Sequence, residues 1–474
     1  MPYTAGMQIT FFGAAQNITG SKHLIESEGF RLLLDCGLHQ GKRHEADALN
    51  RILPFSASDI SATILSHAHA DHCGMLPVLV KNGYRHKIFA TPATAAIARL
   101  IMLDSAKIQQ QDYLRMQKHA AADEKILQPL YSAEDAEEAA THFAPLPYAH
   151  AAQNWQPLNP RCRFKFYDAG HILGSAVTVV QCDQPGGTTT VAYTGDLGNT
   201  NVPLLHEPEI IAEPVETLII ECTYGNKNHR PIAEIADRLK EIIRDAVHNK
   251  RKIIIPAFAL GRTQELIYIL HKLYDQGEIP ALPIYLDSPL ASDITAVFAS
   301  HRDDFDQETW ADFISRNESP FSFRNLRSLQ TVEESRALAA AHGPYMVIAS
   351  SGMAEGGRIL NHLEYGVSDP NAIIMLTGYQ AEHTLGRKLQ DGITPVRVYN
   401  RMYDVHARVV TVDELSAHAD QRGLLAYVSQ MKDLQRVFLV HTELPQATAF
   451  KAVLQQHFPA LNITIPAAGQ NFEI

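Results

Sequence analysis

The spacing of apolar residues changes character partway along the chain. Before about residue 225, short apolar runs bounded by turn residues predict strands. These are MQITFFGAA, HLIES with FRLLLD, SATIL (61–65), RFKFYDAGH, AVTVVQCD and TTTVAYTGD. Between them, MLPVLVKNG (75–83) reads as a short helix stopped by glycine. Residues 93 to 142 carry Ala, Leu, Ile and Met at helical spacing, with Gln, Lys and Glu between, and predict helices packed on the strand core. After ETLIIECTYG the texture differs. From 231 to 395, amphipathic helices alternate with the all-apolar strands KIIIPAFA, LPIYLDS, YMVIASS and NAIIMLT, the pattern of a parallel α/β sheet covered on both faces. The tail returns to strand, loop and helix. The expected organisation is a first domain over 1–224, an inserted α/β domain over 225–400, and the first domain resuming over 401–474.

Bulk properties narrow the choices. A chain of 474 residues exceeds the size at which one core stops growing, so two or three domains are expected. No run of about 18 apolar residues predicts a membrane span. The start, MPYTAGMQITFFGAA, has no basic and apolar leader. Five cysteines, at 36, 73, 162, 182 and 222, are odd in number and lack C-x-x-C spacing. They argue against a disulfide framework and a cysteine-rich zinc site, and suggest a cytoplasmic chain. Cys36, Cys73 and Cys222 adjoin the candidate site residues below and read as packing residues. The net charge of −11 speaks against non-specific coating of nucleic acid, which needs Lys and Arg to neutralise phosphates. Locally the balance reverses: residues 225–262 hold nine Lys or Arg against four Asp or Glu.

Chemistry concentrates in SHAHADHCGMLP (66–77), which places His67, His69, Asp71 and His72 on a strand-to-helix loop. His67 and His69, two apart in extended chain, point the same way. Asp71 and His72 follow on the turn and face a second point, so the loop suits two adjacent metals. Further ligands must come from other strand ends. FYDAGHILGSA offers His171, VAYTGDLGN offers Asp196, VFLVHTE offers His441 and FRLLLDCG offers Asp35. Two more loops, IIIPAFALGR and YMVIASSGMAEGGR, run from strand through a Gly-rich turn to helix. Backbone amides and hydroxyls at such turns bind anions, which makes Arg262, Ser350, Ser351 and Gly352 candidate phosphate-binding residues.

With these blocks in order, the chain resembles a metallo-β-lactamase-fold nuclease of the β-CASP family, the group of ribonuclease J and the cleavage and polyadenylation endonuclease. The resemblance rests on GAAQNITGSKHLIE, DCGLHQG, SHAHADHCG, DSAKIQ, DAGHILGSA, TGDLGN, ECTYG, PAFALGR, DSPLA, ASSGM, GYQ, LSAHAD and LVHTE, and covers nearly the whole chain. It implies an αββα sandwich with an inserted parallel-sheet α/β (β-CASP) domain. It implies two Zn2+, with Mn2+ as the alternative metal: His67, His69 and His171 on one, Asp71, His72 and His441 on the other, Asp196 bridging, and Asp35 supporting the ligands. It implies a ribonuclease working through a metal-activated hydroxide, endonucleolytically or from the 5′ end, and leaving a 5′-phosphate and a 3′-hydroxyl. Asp71, Glu221 and His418 would be catalytic. His418 would contact the scissile phosphate or protonate the leaving oxygen, and Glu221 would orient it and keep it cationic. The bland reading of LSAHAD is a helix cap made by Ser416 and Asp420. Single-stranded RNA would be the substrate, lying between the domains, and a homodimer is consistent with relatives.

Three positions depart from the family pattern. His383 in GYQAEHTLGR stands where glycine is usual, Thr442 follows His441 where many relatives have glycine, and His39 replaces a commoner aromatic. His383 and Thr442 are expected near the substrate groove. Three rival functions remain: the same fold acting on DNA, a small ester or thioester hydrolase, and a non-catalytic scaffold subunit.

Overall fold

The structure, a computed structural model, describes the chain except residues 1–5, 42, 120–125, 153, 232, 379 and 413–415. Tyr379 of GYQ, Leu415 of LSAHAD and part of the 93–142 helical stretch thus lie outside the described residues. The chain divides into two compact units. One comprises residues 1–200, 207–228 and 418–474, and the other 201–206 and 229–417.

In the first unit two mixed sheets face each other. One runs in the order Asn471–Glu473, Gln8–Gly13, Lys22–Ser27, Phe30–Leu34, Ala62–Ile64, Ile88–Ala90, Phe143–Pro145. The other runs Asn462–Thr464, Arg436–Val440, Thr217–Glu221, Gly187–Tyr193, Ala176–Gln184, Cys162–Asp168, Gln156–Pro157. Alternation sets which side chains meet. Ile9 and Phe11, two apart, enter the core with Leu32 and Ile64, and meet Phe164, Val180, Tyr193, Ile219 and Phe438 of the opposing sheet. Each such aromatic or aliphatic side chain contributes about 1.5–3 kcal/mol by leaving water. Helices Gln421–Ser429 and Leu444–His457 cover the outer face of the second sheet, packing Leu424, Tyr427, Phe450 and Leu454 against Val179, Leu218, Ile220 and Leu439. Helices Pro92–His119 and Ala133–Thr141 pack together, and the former reaches the first sheet at Phe143–Pro145. This is an αββα sandwich.

The second unit holds a parallel six-stranded sheet in the order Leu326–Ser328, Ile284–Asp287, Tyr345–Ala349, Lys252–Pro256, Ala372–Thr377, Arg408–Val412. Its central strands are buried along their whole length, as their unbroken apolar runs require.

Two expectations need correction. The sequence suggested that the first domain resumes at 401, but Arg408–Val412 hydrogen-bonds in register to Ala372–Thr377, so residues up to 417 belong with the inserted unit. Its mixture of polar and apolar residues gives no sign of which sheet it joins. The cysteines were also expected to form no disulfide framework, and the one bond present among the described residues, between Cys162 and Cys182, was not foreseen. They are directly opposed on antiparallel strands, with Cα atoms 4.2 Å apart. Only the strand register, invisible in their separation of 20 residues, brings them together. Cys36, Cys73 and Cys222 are free and buried.

Candidate metal centre

The predicted ligands meet at the carboxyl ends of strands in the first unit. After Ala62–Ile64 the chain runs extended through His67 to His69, which precedes the short helix Ala70–Cys73. The loop is held by its neighbours: Cys36 N–H donates to His72 O at 2.8 Å and Ser21 N–H to Asp71 O at 2.9 Å. Gly37 is required here, because a Cβ on it would lie 1.5 Å from Asp71 O. Asp35 and His441 both take left-handed backbone, with φ of 59° and 49°. Non-glycine residues in that region store strain, which turns these two side chains off their strands and inward.

His67, His69, His171 and Asp196 bring ligand atoms within 4.8 Å of one another, as do Asp71, His72 and His441. Asp196 stands between the sets. Its Oδ2 lies 3.3 Å from His67 Nε2 and 3.5 Å from His171 Nε2, and its Oδ1 lies 3.3 Å from His72 Nε2 and 3.4 Å from His441 Nδ1. His441 Nε2 is 3.4 Å from Asp71 Oδ2. Two atoms at the centre, His72 Nε2 and Asp196 Oδ1, are buried with no hydrogen-bond partner. Buried polar atoms are rarely left so, and converging nitrogen and carboxylate donors are what a divalent metal satisfies. The residues present fit a metal.

Hydroxyls and carboxylates set the tautomers. Asp35 accepts from Ser66 N–H and Ser66 Oγ, each at 2.7 Å, from His72 Nδ1 at 2.7 Å and from Tyr193 Oη at 2.6 Å. Its bond to His72 leaves Nε2 of that ring as the free lone pair. Ser66 spends its proton on Asp35, so it accepts from His67 Nδ1 at 3.0 Å, and Nε2 is again left free. Thr223 works the same way on His441: its hydroxyl donates to His441 O at 3.1 Å and therefore accepts from Nδ1 at 3.0 Å. Ser66, Tyr193 and Thr223 were not legible in the sequence, although Ser66 and Tyr193 lie inside blocks that carry a candidate ligand and Thr223 lies two residues from Glu221.

Charges follow from burial and neighbours. Burial lowers the pKa of His67, His69 (to about 3) and His171, which keeps these imidazoles neutral and able to donate a lone pair. Burial opposes ionisation of Asp196, but His441, His72 and His67 outweigh it and hold the acid well below the usual carboxylate range. Burial also disfavours charge on His72, yet Asp196 and Asp35 raise its pKa; a cation bound at Nε2 would take the place of that proton.

Beside this cluster, the buried Glu221 carboxylate accepts from Leu197 N–H at 3.0 Å, Thr223 N–H at 2.9 Å and His418 Nδ1 at 2.8 Å. The His418 ring lies 4.5 Å from the His171 ring, centroid to centroid. Burial disfavours its cation, but Glu221 above all, with Asp196 and Asp71, pushes its pKa up to about 9. Helix capping falls to Asp420, which accepts from Gly423 N–H at 2.8 Å and leaves His418 to Glu221.

The candidate phosphate residues lie in the second unit. Ser350 donates to Ser288 Oγ at 3.0 Å, and Ser351 Oγ accepts from Gly356 N–H at 3.3 Å. Arg262 is buried and already bonded to Glu265, three residues on in the same helix, at 2.7 Å. Of the departures from the family pattern, His383 is exposed in a turn at φ 69°, the backbone region that favours glycine. Thr442, expected near the substrate groove, is buried and donates to Cys222 O at 2.8 Å. The His39 ring packs over Gly20.

Fold and site together define a metallo-hydrolase, and comparison with known proteins agrees. Residues 24–197 match the metallo-beta-lactamase superfamily domain, 263–389 the Beta-Casp domain, and 402–466 the Zn-dependent metallo-hydrolase RNA specificity domain. The chain is 36% identical over 440 residues to Ribonuclease TTHA0252 of Thermus thermophilus, covering 92% of this chain and 93% of that one. It is 30% identical to an RNase J-like protein of Methanocaldococcus jannaschii, covering 93% and 94%. It is 29% identical to the transcription termination factor FttA of the same organism, covering 95% and 69%. A protein of unknown function from Enterococcus faecalis V583 shares the fold, with a TM-score of 0.55 at 12% identity over 99% of this chain and 100% of that one. The chain belongs to the β-CASP ribonuclease family of metallo-β-lactamase-fold hydrolases. No helix among the described residues is long and apolar enough to cross a membrane.

Proposed function

We propose that the protein is a cytoplasmic ribonuclease that uses two zinc ions, or manganese, to hydrolyse phosphodiester bonds of single-stranded RNA. In this reading His67, His69 and His171 would hold one ion and Asp71, His72 and His441 the other, with Asp196 available to both and Asp35 fixing His72. Bound metal supplies Lewis acidity toward the phosphate and makes water nucleophilic near neutral pH. The chain's own residues do the rest. Ser66 and Thr223 keep His67 and His441 in the tautomers that present a lone pair. Glu221 keeps His418 protonated and aimed, so that its ring binds the scissile phosphate or gives its proton to the leaving oxygen. In the second unit Ser350, Ser351, Gly352 and Arg262 hold substrate phosphates. A homodimer is the proposed assembly.

The observation that carries this reading is the Glu221–His418 pair beside the double set of donors. A small-ester hydrolase has no need of a second cation-bearing group poised for a phosphate. The test uses one end-labelled RNA with a 5′-phosphate or a 5′-hydroxyl, and the matching DNA, incubated with zinc- or manganese-loaded protein. Cleavage of RNA with little of DNA is expected, and the ladder separates internal cutting from 5′ trimming. Turnover of a thioester with none of RNA would reverse the assignment.

A further inference from the structure

One large apolar side chain at the end of the central strand of the second unit is not explained by packing. Phe258 follows Lys252–Pro256 and is 37% exposed. Single exposed hydrophobic residues are ordinary, but this one is held in place. Its strand end is tied to the next one by Ala257 N–H donating to Ala349 O at 3.0 Å, and its own carbonyl accepts from Thr263 Oγ1 at 2.7 Å. One edge of the ring lies over Gly352, where any Cβ would sit 2.7 Å from Cδ2. The bare glycine is what lets the ring approach the Ser350–Gly352 loop. Gly352 O is in turn fixed by Gln380 Nε2 at 3.1 Å. In the turn that follows Phe258, Arg262 Nε is buried without a hydrogen-bond partner. In the sheet order Lys252–Pro256 and Tyr345–Ala349 are neighbours, and their connections run in opposite directions, each passing the other strand, toward Ile284–Asp287 and Ala372–Thr377 respectively. Right-handed crossovers in opposite directions carry the two following helices to opposite faces of the sheet, and adjacent loops that turn to opposite faces at the carboxyl ends leave a crevice in which ligands lodge.

We propose that Phe258 is a stacking platform for one nucleobase of the RNA: the nucleotide whose phosphate sits at the Ser350–Gly352 loop lays its base on the Phe258 ring. An aromatic face accepts any base, so the platform sets affinity and register along the strand without reading sequence. The inference rests on the ribonuclease reading and extends it to a named contact.

The test measures binding of short single-stranded RNA by fluorescence anisotropy, in an Asp196→Ala background that prevents cleavage. Phe258→Ala raises Kd on the order of 5- to 150-fold, the worth of one stacked base. Phe258→Trp restores binding and Phe258→Leu does not, while melting temperatures stay together. A series of RNAs with an abasic site at each position in turn shows one position whose loss weakens binding to the Phe258-containing protein and has no effect on Phe258→Ala. Equal Kd for Phe258→Ala, a Leu variant as good as Trp, or a flat abasic series would each overturn the stacking contact. Binding of RNA that zinc-loaded wild-type protein does not cleave counts against the ribonuclease reading alone, and absence of RNA binding overturns both.

Discussion

The first unit and the second each gather polar groups at the carboxyl ends of strands, but they use them differently. In the first unit side chains converge on a shared point, and two of them, Asp35 and His441, do so through left-handed backbone. Their remaining valences are occupied by Ser66, Tyr193 and Thr223, so that only atoms facing the centre stay unsatisfied. In the second unit the charged groups pair with one another instead. The buried Asp287 takes His362 and Arg358 at 2.7 and 2.8 Å together with Ser335, and Arg262 takes Glu265. What those loops leave exposed is the Phe258 ring, beside the half-buried hydroxyls of Ser350 and Ser351. A metal needs fixed donor atoms at short range, whereas a flexible anionic chain needs amides and a surface to lie on.

Five changes sharpen or break this contrast. Asp196→Ala removes the carboxylate shared by both donor sets, and RNA cleavage should fall by about 10^4-fold or more, with metal content reduced and the melting profile retained. Activity at the wild-type rate in a folded variant would refute the metal mechanism. His418→Gln keeps about the same side-chain size and an N–H donor but loses the charge and the transferable proton; the rate should drop by about 10^2- to 10^4-fold at unchanged zinc content. Asp287→Ala tests the other unit. It strands a buried histidine and an arginine and should lower unfolding free energy by about 3–5 kcal/mol in denaturant titrations. A loss of zinc in the same variant would contradict the separation of roles. Thr223→Val preserves shape and removes the tautomer lock, and zinc affinity measured against a chromophoric chelator should weaken about 10- to 100-fold, with Thr223→Ser restoring it.

The smallest effect concerns Lys22, which is buried and donates to the carbonyls of Gly20 and Gly37. Burial brings its pKa from 10.5 down to about 8. Between those values the unfolded chain still binds the proton that the native state has released, so native stability gains as pH rises from about 8 to about 10.5. Lys22→Met lacks that gain. The difference in melting temperature between wild type and variant should therefore move in favour of wild type across this window, and a constant difference would show that the lysine does not titrate there.

How much of this was legible beforehand varies by kind of feature. His67, His69, Asp71 and His72 were readable because four donors fall in one loop whose strand and helix flanks are written in the apolar pattern. The all-apolar strands of the second unit announced a parallel sheet for the same reason. Strand Arg408–Val412 was misassigned, because its edge position makes its pattern half polar and compatible with either sheet. The direction of Thr442 was not legible, because sequence gives a neighbour and not an orientation: the side chain after His441 turns into the core toward Cys222.

The sequence by itself determined the local elements and which residue types could ligate or carry a proton, since periodicity and chemistry are properties of short stretches. Tertiary structure alone decided what depends on partners far apart in the chain. The Cys162–Cys182 bond exists because antiparallel register opposes two residues that spacing does not relate. Thr223 meets His441, and Phe258 meets Gly352, because neighbouring strands end side by side. A hydroxyl becomes a tautomer lock, and an exposed ring a candidate platform, only when the fold supplies the atom on the other side.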